Sequence, residues 1–271
     1  MSDPRAEARA VALDAANAYR EAFADRLTAA YALGSVAHGG YAAAVSDIDL
    51  GLILTDSRDG DGELVESTRE ALLARGPLYR KLSVFWASLT ALRAGESDGR
   101  FPAIDRLDLH DNGEVLLGED VAGQTAVPTG EELLLDSARF AITLLSSDAV
   151  LAECHRPGKL LVDSVYFSKA VLFPVRFLYS TGKIDGRAAP NDGAIDWYLS
   201  QPDAVASALV RMAAEVRGGR ALDADVVAPL LADGLIPLYL HYIDELTPYL
   251  RRAGASAELV DAFGRWREEL A

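Results

Sequence analysis

The stretch Gly34–Leu54, "GSVAHGGYAAAVSDIDLGLIL", decides the reading of the chain. A Gly-Ser pair closes one apolar run. A spacer carrying a second pair of glycines follows, and then two aspartates one residue apart open another apolar run. Asp47 to Thr55 has the alternation of a β-strand, in which residues two apart share a face. Asp47 and Asp49 then project together, while Ile48, Leu50, Leu52 and Leu54 turn to the core. Neighbouring carboxylates repel, and they stay ionised at low cost only with a cation between them. A hard divalent ion, Mg2+ above all, suits carboxylates combined with substrate phosphates. Gly34 has no Cβ to keep a phosphate away from the backbone, and Ser35 offers a hydroxyl and an N–H. Gly39 and Gly40 let the spacer turn back toward the strand.

Outward from this stretch, Asp3 and Pro4 read as the N-cap and first residue of a helix running to about residue 25. Leu27–Leu33 and Leu82–Ser88 read as strands, Glu63–Arg75 as a helix, and Gly34–Ser46 as a loop with room for one helical turn. Residues 101–120 are mixed, with a turn at Asn112-Gly113, and 121–130 resemble a linker. Beyond about residue 129 every segment has helical periodicity. Strands early and helices late predict an α/β or α+β domain over 1–125 and an all-α helical bundle over 126–271.

Composition narrows the partners. The 271 residues are half hydrophobic and a quarter charged, enough for a sizeable core. Net charge is -15 and no Lys/Arg-rich block occurs, which argues against a nucleic acid as main ligand. Acidity suits a cationic small molecule. Cys154 is the single cysteine, so no internal disulfide forms. The N-terminal stretch is an amphipathic helix pattern rather than a signal peptide. No apolar run in the sequence approaches the roughly 20 residues of a membrane span. These features predict a cytoplasmic protein with no membrane partner; oligomeric state is not legible.

Gly34-Ser35, the double glycine and "SDIDL" together resemble the signature of the DNA polymerase β-type nucleotidyltransferase superfamily. Within it they are most similar to the aminoglycoside (3″)-type adenylyltransferases, the streptomycin/spectinomycin group. The resemblance is tight over about these twenty residues and loose elsewhere. It implies a nucleotidyltransferase domain with a small mixed sheet, followed by a helical C-terminal domain on the substrate side. It implies that Gly34, Ser35 and Ser46 hold the nucleotide and that Asp47 and Asp49 are catalytic and ligate two Mg2+ ions. ATP would be the co-substrate, and AMP would pass to a hydroxyl of a small, aminoglycoside-like acceptor with release of pyrophosphate.

Two departures matter. Enzymes of this type carry a third carboxylate on a following strand, and Leu82–Ser88 holds no acid, with Ser83 at about the matching place. The family's phosphate lysine in the helical domain is matched here by Asn191, within "PNDGAIDWYLSQ"; Lys159, Lys169, Lys183 and Arg176 are the candidate replacements. Asp105 and Asp108, in "AIDRLDLH", have two readings: turn or capping residues, or acids that fold back to substitute for the missing carboxylate; Asp192 reads as a helix N-cap. Asp196 and Trp197 read either as a surface acid beside a half-buried indole or as the lining of a cleft, the carboxylate for a substrate amine and the indole for stacking. His38 reads as a loop residue, and His110, His155 and His241 lack partners at metal-ligand spacing. Three functions fit: an adenylyltransferase, a nucleotide-binding member that has lost turnover, and an antitoxin-like transferase acting on a protein.

Overall fold

The computed structural model describes residues 3–182 and 191–271. The chain forms two compact units, Met1–Pro128 and Thr129–Ala271.

The first unit is a four-stranded mixed sheet with helices. Helix α1, Pro4–Phe23, starts where the Asp3 carboxylate accepts from Arg5 N–H at 3.0 Å, with proline at its first position. Its inward face, Ala8, Val11, Ala12, Ala15, Ala16, Tyr19 and Phe23, follows helical spacing. Strand β1, Leu27–Leu33, runs into the five-residue helix α2, Gly34–His38, and strand β2 is Ile48–Leu54. Helix α3 spans Asp61–Leu73, strand β3 Leu82–Ser88, helix α4 Leu89–Arg93, helix α5 Ala103–Asn112 and strand β4 Glu114–Gly118. The order is β3-β2-β1-β4; β1 is antiparallel to both neighbours and β2 is parallel to β3.

Both sheet faces are covered, and the division follows the strand alternation. Ala30, Ala32, Ile48, Leu50, Leu52, Leu54, Leu82 and Val84 share one core with α1 and α3. Ala29, Tyr31, Leu33, Ile53, Phe85 and Ala87 share another with Leu92, Phe101 and Leu109. Asp49 belongs by period to this second face, at its edge. The sequence pattern gives no sign of β4. "EVLLG" does not alternate and stays half-exposed; its pairing with β1 makes it a strand.

In the second unit, helices α6 (Gly130–Phe140), α7 (Asp148–His155), α8 (Ser164–Gly182), α9 (Asn191–Ser200), α10 (Ser207–Arg217), α11 (Ala224–Arg252) and α12 (Ala257–Leu270) surround a single aromatic-rich core. Tyr239, Tyr242, Phe263 and Trp266 meet edge to face, with centroids 5.7–6.2 Å apart. Helix α11 is long and apolar enough to cross a membrane by length and composition, which corrects the sequence reading on that point. Its apolar face, from Val227 to Leu250, is built into the core of the helical unit, which accounts for the composition.

Candidate functional site

The turn from β1 into α2 brings a glycine and two carboxylates together. Leu33 pairs with Asp49 across the antiparallel ladder, so Gly34 leaves β1 beside the Asp49 side chain. Gly34 has φ +58°, and a Cβ there would meet Asp49 Oδ2 at 2.3 Å. Only glycine fits both the backbone and the space. On the other side of the same residue, Gly34 N–H donates to Asp108 Oδ2. Asp108 lies on α5, is 7% exposed, and also accepts from Asn112 Nδ2 at 2.8 Å. The cap it provides belongs to a distant segment rather than its own helix. Two further bonds fix α2 from α1: Arg5 donates to Val36 O at 2.7 Å and to Ala37 O at 2.9 Å.

The spacer is stapled rather than loose. Ser46 Oγ accepts from Ala42 N–H at 3.0 Å, and Ser46 N–H donates to Ala42 O at 2.8 Å. Lys81 Nζ donates to Ala43 O at 2.6 Å and Ser46 O at 3.2 Å. Ser46 is buried, and its hydroxyl spends an acceptor on shaping the loop. Ser35 is buried at the start of α2. Asp47 and Asp49 are half-buried, flanking Ile48. Near Asp47, the Tyr41 hydroxyl is buried with no hydrogen-bond partner. Burial first, and then the negative charges of Asp47 and Glu7, raise its pKa.

Across the parallel ladder, Asp49 is in register with Ser83. The residue on the next strand beside Asp49 is therefore a hydroxyl, as the sequence indicates. The neighbouring charge was not legible in sequence. Arg100 Nη2 stands 3.5 Å from Ser83 Oγ, Nη1 donates to Val84 O at 3.0 Å, and the guanidinium lies 4.8 Å from the Phe85 ring centroid. Trp86 N–H donates to Arg100 O at 2.9 Å, so the arginine backbone covers the β3 edge.

The remaining candidates separate. Asp105 lies in the first turn of α5. Asp192 does not cap α9: the helix begins at Asn191, one residue earlier, and Asp192 instead forms a 3.7 Å ion pair with Arg217 Nε. Burial pushes the Arg217 guanidinium down, Asp192 opposes this, and nearby Arg176 adds to it. Lys159 Nζ sits 4.3 Å from the Tyr166 ring centroid. Lys183 lies outside the described residues. Asp196 is exposed, and half-buried Trp197 meets Tyr179 edge-on at 5.5 Å. His110 Nε2 bonds with Thr125 O and Thr125 Oγ1, and His155 Nε2 with Glu269 O. His241 packs on Tyr198.

The residues fit a nucleotide-borne Mg2+ better than a metal held by protein alone. Among the described residues no three His, Cys, Asp or Glu side chains form a metal cage. Asp47 and Asp49 supply two carboxylates, and Mg2+ ordinarily completes such a set with phosphate oxygens and water. The orphaned Tyr41 hydroxyl near Asp47 is a polar group that such a complex would satisfy.

The fold is nucleotidyltransferase-like. The chain is similar to the crystal structure of spectinomycin adenyltransferase AAD(9) from Enterococcus faecialis with ATP and spectinomycin, at TM-score 0.56 and 12% identity, over 81% of this chain and 98% of that one. No protein-family model and no curated protein matches the chain.

Proposed function

We propose that the chain is a nucleotidyltransferase that moves AMP from Mg-ATP to a hydroxyl of a small molecule. The observation that carries this reading is the packing of Asp49 against Gly34, beside Ser35 and two residues from Asp47. Gly34 and Ser35 would take the phosphates, with Ser46 fixing the loop above them. Asp47 and Asp49 would hold Mg2+, which neutralises charge on the phosphates when bound. The acceptor oxygen bonds to the α-phosphorus. The bond from that phosphorus to the bridging oxygen breaks, and pyrophosphate leaves with the electron pair. Because Ser83 is not basic near neutral pH, the hydroxyl proton passes to water. Holding the two reactants in line is the main task of the chain's own residues.

Ser83 also supports a second reading, a nucleotide-binding protein without turnover, since a missing general base costs on the order of 10²–10⁴ in rate. One experiment separates the two. ATP with Mg2+ is titrated by calorimetry into the wild type and into Asp49→Asn. Each is then incubated with labelled ATP and hydroxylated acceptors, spectinomycin and streptomycin among them. Mg-dependent binding lost in the variant, together with pyrophosphate release, supports transfer. Binding without pyrophosphate supports the second reading, and label on a protein would mean that a polypeptide is the acceptor. No Mg-dependent binding removes both readings.

A further inference from the structure

The charge on the two flanks of Asp49 is opposite in kind. In the order β3-β2-β1, Gly34 follows β1 and Ser83 lies on β3, so they stand on opposite sides of Asp49. The β1 flank offers Ser35 and a glycine whose N–H is capped by Asp108. The β3 flank offers a hydroxyl and, behind it, a fixed cation. Arg100 is exposed, yet its guanidinium is held by Val84 O and by the face of Phe85, and its backbone by the bridge to Trp86. Glu66, whose carboxyl is held below its ordinary value first by Arg69 and last by this guanidinium, is engaged by Arg69 at 2.5–3.1 Å.

We propose that Arg100 and Ser83 form an anion subsite for the acceptor, so that the acceptor is a hydroxylated molecule carrying a phosphate or carboxylate. This rests on the transfer reading above. A planar guanidinium matches the two oxygens of such groups, and one already immobilised loses little freedom on pairing. Nη2 already reaches Ser83 Oγ at 3.5 Å, so a ligand seated next to Ser83 meets that end of the guanidinium. A cation placed there meets repulsion from Arg100 before it reaches the aspartates. The nucleotide's own phosphates are the competing source of the same chemistry. On the transfer reading Gly34 and Ser35 take those phosphates on the other flank, and the test keeps the two sources apart.

Glucose 6-phosphate, glucose and spectinomycin are each titrated by calorimetry into the protein saturated with Mg2+ and α,β-methylene ATP. The wild type is expected to bind glucose 6-phosphate roughly tenfold more tightly than glucose, and spectinomycin most weakly. Arg100→Glu abolishes that preference and leaves the affinity for the nucleotide within about twofold. Arg100→Gln, which keeps a donor for Val84 O, gives the same loss if the charge reversal unfolds the edge. Equal or absent binding of the three probes, tighter binding of spectinomycin, or an unchanged preference in Arg100→Gln overturns the proposal. A fall in nucleotide affinity matching the fall for glucose 6-phosphate would assign Arg100 to the triphosphate and overturn it too. Loss of Mg-dependent nucleotide binding in the wild type would instead defeat the transfer reading itself.

Discussion

Asp49 Oδ2 lies so close to the Cα of Gly34 that a single methyl group at position 34 would meet it at 2.3 Å. The glycine is there for two independent reasons, a left-handed backbone at φ +58° and a carboxylate in the space a side chain would need.

Gly34→Ala is therefore expected to move Asp49 while leaving both cores in place. The backbone strain alone costs about 1–2 kcal/mol. Calorimetry should show Mg-ATP binding lost, whereas urea unfolding should show only a modest drop in stability. Retention of wild-type nucleotide affinity would contradict the proposed site.

Asp108 makes a second, separable prediction. Asp108→Ala strands the half-buried Gly34 N–H, which should cost about 1 kcal/mol. Asp108→Asn keeps an acceptor oxygen and should recover most of that loss. If the two variants unfold at the same urea concentration, the bond to Gly34 contributes nothing to stability.

Acid should weaken the first unit through Asp61. Arg26 donates to its two carboxylate oxygens at 2.6 and 3.0 Å, Arg58 N–H adds a bond at 2.8 Å, and the Asp61 side chain is 3% exposed. The Arg26 bond holds the carboxyl below its ordinary value, against burial, which raises it. A folded-state pKa below the unfolded one stabilises the fold above about pH 4, and that contribution fades as pH falls further. Asp61→Asn should cost on the order of 3 kcal/mol at pH 7. The gap between variant and wild type, read by urea unfolding at both ends of the range, should narrow below about pH 4. A constant gap would refute the linkage.

Cys154 should resist alkylation. It is buried in the helical core, and burial pushes its thiol up to about 12. Labelling by iodoacetamide at pH 8 should be slow in native protein and rapid in urea, so its rate reports opening of the helical unit. Fast labelling of the native protein would contradict this packing.

The legible parts of the fold were those written in local periodicity. Leu27–Leu33 and Leu82–Ser88 are short apolar runs bounded by polar segments, which is what a strand buried on both faces looks like. Helix α3 starts at Asp61 rather than Glu63, because Asp61 is tied to Arg26 and to the Arg58 backbone, a tertiary cause. Strand β4 depends on a partner ninety residues upstream in the chain's order, roughly, and so left no local trace. The same division runs through the site. Gly34, Ser35, Asp47 and Asp49 form a readable motif, and the family resemblance points to Ser83, which the parallel ladder sets in register with Asp49. Asp108, a candidate to fold back to the site, does reach it, but to cap Gly34 N–H; Arg100 reaches that neighbourhood from a segment whose local pattern speaks only of a turn.

Arg5 grips the carbonyls of Val36 and Ala37 from the opening turn of α1. Trimming the chain to begin at β1 would thus do more than expose an apolar sheet face: it would unfasten the far end of the Gly-Ser turn, a reason to keep the first helix in any shortened version prepared for crystallisation.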